Sequence, residues 1–427
     1  MIRALVQDWD MARVRRHATG FAGIHSLNAG LSLVYSLAQT LVFARALDRR
    51  TFALTVLFQA IGLYLLPLNQ CVERANFVLL RERAVRDGQP RAAEAAVAFN
   101  VNQVILLVIP LLTPLAVGVH GPWEYASFAC FMFFATYSNL WYFEIQMTMM
   151  AIDRAIEYER LSLVRRLINY GLLAMLFFTR NFLLCNLALA LQTLLFHVII
   201  TGRTTRGAGL FEWPADATAA GMRNYMGRLW ISLQATGAEW LTMSAPYSIF
   251  FFRFGVGPGL VTVDAALKLL RVVTAVSRNL AEIALPSVSR AIMAGNTRLA
   301  RAPAIFALVG GGLVGMVIAV LVGVWERFSF GLLLGPNNVV PHGAGLPTGV
   351  ALLAGVAVAT GGHFIGHTGD RRAIPILSTV AVVTVGVVAA YTLIARPDIV
   401  MSLWVVAAGM AVIAAAATGL LAQMLRR

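Results

Sequence analysis

Five charged residues recur along one apolar stretch between Pro258 and Pro286: Asp264, Lys268, Arg271, Arg278 and Glu282. At about 100° per residue in a helix, their spacing confines all five to an arc of roughly 80°. A rise of about 1.5 Å per residue from Pro258 puts Lys268 about 15 Å deep, near the midplane of a hydrocarbon core about 30 Å thick. A charge facing lipid at that depth costs roughly 3 kcal/mol, so the stripe must face protein or water. Asp264 with Lys268, and Arg278 with Glu282, have the i,i+4 spacing of intrahelical ion pairs. Arg271 is then left over unless Glu239 or Glu73 of another helix reaches it. Its guanidinium fork matches phosphate oxygens, which makes Lys268, Arg271 and Arg278 the candidate site for an anionic headgroup. The bland alternative is a structural ion-pair network without a substrate.

Polar residues form similar stripes. His25, Asn28, Ser32, Tyr35 and Gln39 fall within roughly 80° of one another on a helical wheel. Gln59, Gln70 and Glu73 make a second stripe, and Ser232, Thr236 and Glu239 a third. Singly, such groups glue membrane helices together at about 0.6 kcal/mol each. On the first two helices of each half of the chain they fit a shared hydrophilic cavity better. Within it Glu239, Asp264 and Glu282 are the candidates for coupling to an ion. His363 and His367 have i,i+4 spacing with Asp370 nearby, but no acid lies between them as in zinc proteases, and no metal site is indicated.

The elements that must carry these stripes are membrane spans. The 427 residues are 59% hydrophobic and 13% charged, with a mean hydropathy of +0.74, whereas charged residues make up about a quarter of a soluble globular chain. We expect an all-α polytopic membrane protein of twelve helices, at about 20–46, 52–80, 97–119, 124–150, 163–179, 182–201, 229–252, 258–287, 304–324, 345–366, 374–395 and 399–423. A net charge of +14 suggests nucleic acid, yet the arginines concentrate in alternate connections, which explains the charge by orientation with both termini inside. Arg74, Lys268, Arg271 and Arg278 lie inside the expected helices and owe nothing to orientation. Cys71, Cys130 and Cys185 are widely spaced within spans and suggest neither a disulfide framework nor a thiolate metal site. Residues 5–16, with Leu5, Val6 and Trp9 beside Arg13, Arg15 and Arg16, read as an interfacial helix leading into the first span.

The spans divide into two six-helix bundles, 1–201 and 229–427, at the glycine-rich polar stretch 202–228, which reads as a linker. A weak internal repeat superimposes Gly88-Gln-Pro-Arg91 on Gly295-Asn-Thr-Arg298, each in the basic turn after the second helix of its half. Transporters whose halves enclose a central site are built from such repeats.

Several short stretches carry a family resemblance. They are Arg253-Phe-Gly-Val-Gly-Pro-Gly-Leu260, Asp264-Ala-Ala-Leu-Lys-Leu-Leu-Arg271 and Ile283-Ala-Leu-Pro286-Ser-Val-Ser-Arg290, with Phe43-Ala-Arg45-Ala-Leu-Asp48 and Leu332-Leu-Leu-Leu-Gly335-Pro-Asn337. Together with the span count, they resemble the polysaccharide flippases of the multidrug/oligosaccharidyl-lipid/polysaccharide exporter superfamily. The resemblance implies a secondary transporter of the bacterial cytoplasmic membrane that flips a lipid-linked oligosaccharide by alternating access. It implies glycan-assembly proteins as partners, and cavity bases holding the lipid pyrophosphate, here Lys268, Arg271 and Arg278.

Two rivals remain. A cation- or proton-coupled multidrug antiporter of the same fold would need a net acidic cavity, whereas the acids Glu73, Glu239, Asp264 and Glu282 are matched by four bases at depth. A membrane glycan polymerase or ligase needs a catalytic loop, and the stretch from Trp325 to Leu346 offers only Glu326, Arg327 and His342. With no P-loop or other nucleotide-binding motif, no cofactor and no enzymatic activity are expected.

Overall fold

The computed structural model describes residues 18–88, 91–119, 121–210, 217–254, 258–334 and 340–426. The expected interfacial helix at 5–16 and the turns at 255–257 and 335–337 lie outside them. Among the described residues the chain is helical, with twelve long helices and a short one. α1 (Gly23–Ala46) is entered through a π-helical turn, Ala18–Ala22. It is followed by α2 (Arg49–Arg86) and α3 (Ala93–Ala116). α4 runs as Pro122–Thr136 and Tyr142–Ala151, joined by a π-helical segment, Tyr137–Trp141. Then come α5 (Ala155–Thr179), α6 (Phe182–Ala208), α7 (Ala219–Phe254), α8 (Pro258–Met293), α9 (Thr297–Val324) and the short α10 (Glu326–Leu334). α11 (Gly345–Thr368), α12 (Ala373–Ile394) and α13 (Ile399–Arg426) complete the chain. Eight of these helices, α1, α3, α5, α6, α9, α11, α12 and α13, contain windows long and apolar enough to cross a membrane.

The chain forms two compact units, Met1–Leu229 and Trp230–Arg427. In the first, Phe43, Phe58, Phe128 and Phe131 are buried in one aromatic cluster with Phe182 packed against it. In the second, close approach of helices replaces bulk. A Cβ on Gly315 would lie 2.7 Å from Val356 Cγ2, and one on Gly311 would lie 2.9 Å from Ser277 Oγ, so glycine lets α9 meet α8 and α11. On α11 a Cβ at Gly362 would meet nothing within 4 Å, whereas its neighbour Gly361 makes a close approach to Ala417 of α13.

Several helices run past their expected ends, and in three of them polar and charged residues of the added turns are used for packing. α2 continues through Arg81, which is fully buried and donates from Nη1 to Asp153 Oδ1 at 2.9 Å and from Nη2 to the Met150 carbonyl at 2.6 Å. α5 begins at Ala155 rather than 163, so Arg165 and Arg166 stand about 15 Å along it and belong to the interior bases, not to a connection. α7 begins at Ala219, inside the stretch read as a linker. Tyr225 is buried there with its hydroxyl donating to Asn76 Oδ1 at 2.8 Å, and Arg228 pairs with Glu82 at 2.6 Å. These contacts place the first turns of α7 in the first unit, while the rest of the same helix belongs to the second.

The repeat signature has a backbone counterpart. Gly88 after α2 and Gly295 after α8 both take left-handed conformations, φ 66° and 74°, as helix-ending glycines do.

Candidate functional site

The site is built on α8. Its apolar face, including Val263, Leu267, Leu270, Val273, Ala281 and Leu285, is buried, and the helix packs on α9 and α11. Flanking that face, Lys268 and Arg271 are exposed. Asp264 lies on α8, but its side chain is outside the described part, so the expected Asp264–Lys268 pair is not described. No hydrogen bond or ion pair of the Arg271 guanidinium occurs among the described residues.

Arg278 ion-pairs with Glu239 of α7, a partner outside its own helix, and Glu282 one turn further along α8 is buried. Glu73 is buried in the first unit. The Glu239 carboxylate borders a small cavity of about 20 Å³, lined also by Ala238, Thr242, Gly362, Leu377 and Ile413. A second cavity of about 20 Å³ shares Thr242 and Ile413 with it. Thr236, one turn before Glu239, is buried.

In the first unit the polar stripe of α1 converges on a carboxylate the stripe itself does not contain. Glu159 of α5 accepts from Asn28 Nδ2 at 2.6 Å and from Gln146 Nε2 at 3.2 Å, and its Oε1 lies 2.8 Å from His25 Nδ1. His25, Asn28 and Glu159 are all buried, so the first residues of the stripe join α1 to α5. Further along, Ser32 is partly buried, Tyr35 meets Tyr170 edge to face at 5.4 Å, and Gln39 is buried. The second stripe enters the same unit through Gln70 and Glu73, both buried; the side chain of Gln59 lies outside the described part.

Glu144, Glu159, Arg165 and Arg166 escaped the sequence reading. On α5 the signal was present: Glu159, Ser162, Arg165 and Asn169 fall on one face, all buried. Arg165 stacks over the Tyr142 ring at 3.7 Å. On α4 the signal was one acid in an apolar span, which is by default a functional candidate. Elsewhere the polar residues are structural. His363 and His367 stack at 4.2 Å, and His367 Nδ1 lies 2.8 Å from the His363 carbonyl oxygen. Glu326 accepts from the backbone N–H groups of Gly343 and Gly345 at 3.1 Å. Asp48, the aspartate of the motif after the first span, is the N-cap of α2, accepting from the N–H groups of Arg50 and Thr51 and from the Thr51 hydroxyl. These three bonds hold its carboxyl below the usual range.

No family model matches the sequence, and no curated protein does. Solved structures do. A MOP superfamily transporter from Pyrococcus furiosus Vc1, described as having a binding pocket of reverse polarity that suggests a different function, aligns with a TM-score of 0.70 at 12% identity, over 96% of each chain. An outward-facing multidrug resistance MATE family transporter of the MOP superfamily aligns at 0.70 and 13% identity, over 96% of this chain and 94% of that one. A eukaryotic MATE transporter aligns at 0.62 and 12% identity, over 97% and 96%. At these identities the likeness is one of fold: the chain is an all-α polytopic membrane protein folded as MOP transporters are.

Proposed function

From a chain folded as MOP transporters are, we propose a secondary transporter that carries an anionic amphiphile, with Lys268 and Arg271 of α8 taking the headgroup. The observation that supports this reading is that Lys268 and Arg271 are both exposed on one stretch of α8. A pyrophosphate would meet an ammonium and a guanidinium fork there. With the resemblance noted in the sequence, the substrate we favour is a polyprenyl-pyrophosphate oligosaccharide, flipped across a bacterial cytoplasmic membrane by alternating access and passed to glycan-assembly proteins. Glu239, bordering its cavity, is our candidate for coupling to a proton or cation. The second reading, a multidrug antiporter, rests on the description of one similar structure as a multidrug resistance transporter.

The test is reconstitution. Proteoliposomes of the wild type should flip a fluorescent polyprenyl-pyrophosphate disaccharide, Arg271→Ala should lose at least tenfold of that rate, and Arg271→Lys should recover part of it, because an ammonium keeps the charge but not the fork. Full flipping by Arg271→Ala at equal protein incorporation would sink the anion site. Uptake of an organic cation, abolished by Glu239→Gln, would shift the reading to the antiporter.

A further inference from the structure

The core of the first unit holds a carboxylate that the proposed transport site does not use. Glu144 of α4 has no exposed surface and stands three residues after the π-helical segment Tyr137–Trp141. Such segments inside α-helices are frequent at functional sites. Its Oε2 accepts from Asn102 Nδ2 of α3 at 2.7 Å, and its Oε1 accepts from Asn76 Nδ2 of α2 at 3.2 Å. Asn76 Oδ1 in turn accepts from the Tyr225 hydroxyl at 2.8 Å. The titratable groups that act on Glu144 are Glu73 on α2 and Tyr225 on α7; Arg74 and Cys71 act on Glu73 and Tyr225 in turn, and Arg165 of α5 lies over the Tyr142 ring. Those α3 contributes are uncharged, Asn102 and Gln103.

The direction of each bond on the α3 side of this chain is fixed by one group that can only accept. The backbone carbonyl of Leu140, inside the π-helical segment, takes Asn69 Nδ2 at 3.1 Å. Asn69 must therefore present Oδ1 to Asn102, which donates to it from Nδ2 at 2.8 Å. That same Nδ2 is then the atom that faces Glu144, so Oε2 can only accept. A proton on Glu144 therefore goes to Oε1, and on the side facing α2 it opposes the Asn76 amide. To receive it, Asn76 must turn its Oδ1 inward and its Nδ2 toward Tyr225, whose hydroxyl must change from donor to acceptor and turn its own hydrogen away.

We propose that Glu144 is a proton-binding site of the first unit, and that a proton arriving at Oε1 reverses the Asn76–Tyr225 hydrogen bond and loosens the first turns of α7. The proton comes from water and forms one O–H bond; no other bond is made or broken covalently. The inference does not depend on the identity of the substrate. Its reach comes from the position of Tyr225, on a helix that continues unbroken into the second unit.

The experiment uses the full chain in lipid nanodiscs with two readouts. In pH-difference infrared spectra the wild type should show the carbonyl stretch of a protonated carboxyl that Glu144→Gln lacks and Glu159→Gln retains. Hydrogen exchange over residues 219–229, corrected for its intrinsic pH dependence, should quicken about fivefold in the wild type below the infrared midpoint, the change expected when one buried hydrogen bond is lost. In Tyr225→Phe exchange should be fast on both sides of the midpoint, which keeps the proposal testable even where Glu144→Gln folds poorly. A carboxyl band that survives in Glu144→Gln, equal exchange of 219–229 at both pH values in the wild type, or a pH-dependent exchange that persists in Tyr225→Phe, would each overturn it.

Discussion

Arg278 of α8 and Glu239 of α7 form an ion pair between neighbouring helices, with side chains 29% and 18% exposed. Each therefore keeps some access to solvent, and removing one partner leaves a charge that is only partly desolvated. We expect Glu239→Gln and Arg278→Gln each to destabilise by about 1–3 kcal/mol, below the range for fully buried pairs, and the double variant to lose less than the sum. A thermal double-mutant cycle measures the coupling; strict additivity would mean that the two charges do not communicate.

The cluster around Glu159 predicts a different asymmetry. Asn28→Ala removes a donor from a buried carboxylate, whereas Glu159→Gln removes the charge and keeps the shape. Asn28→Ala should cost about 1–3 kcal/mol, and combining it with Glu159→Gln should restore part of that loss. Melting temperatures of the three variants decide the matter.

Gly345 and Gly362 of α11 should respond in opposite ways to the same change. A Cβ on Gly345 would lie 2.5 Å from the Val322 carbonyl oxygen, which backbone cannot easily yield, so Gly345→Ala should destabilise by about 1–3 kcal/mol. At Gly362 there is open space, and Gly362→Ala should be neutral or gain up to about 1 kcal/mol from helix propensity. A loss at Gly362 equal to that at Gly345 would refute the packing described.

Asp48 carries a pH dependence whose sign follows from its lowered carboxyl pKa. The ionised form is favoured by folding, so the stabilisation is complete above the ordinary carboxylate range and disappears as pH falls through the lowered value. Asp48→Ala should cost about 1 kcal/mol at neutral pH and much less in strong acid. Equal loss at both pH values would assign the effect to something other than the ionised cap.

The helices were legible in sequence because apolar runs of spanning length admit few other readings, and the charged face of α8 was legible because its spacing is helical. Arg165 and Arg166 were not, for a physical reason. Charge at the start of a span looks like a connection until Glu159, Ser162 and Asn169 are placed on the same buried face as Arg165, where burial inside the unit replaces water. Partner choice across helices was also illegible: nothing in the spacing of α7 and α8 says that Glu239 reaches Arg278. Glu144 gave a single letter of signal, and its meaning depends on three asparagines from two other helices.

The polarity of α7 and α8 bears on how the nascent chain enters the bilayer. Neither is among the eight helices apolar enough to cross by itself, and they are consecutive in synthesis. At a translocon α7 would present Glu239 to lipid before Arg278 has been made, at a cost of roughly 3 kcal/mol that the ion pair later offsets. The two helices should therefore partition together, with α7 retained beside the channel until α8 emerges. A glycosylation-site reporter placed after α7 should report inefficient integration in chains truncated before Arg278, and efficient integration once the ribosome has released the whole of α8.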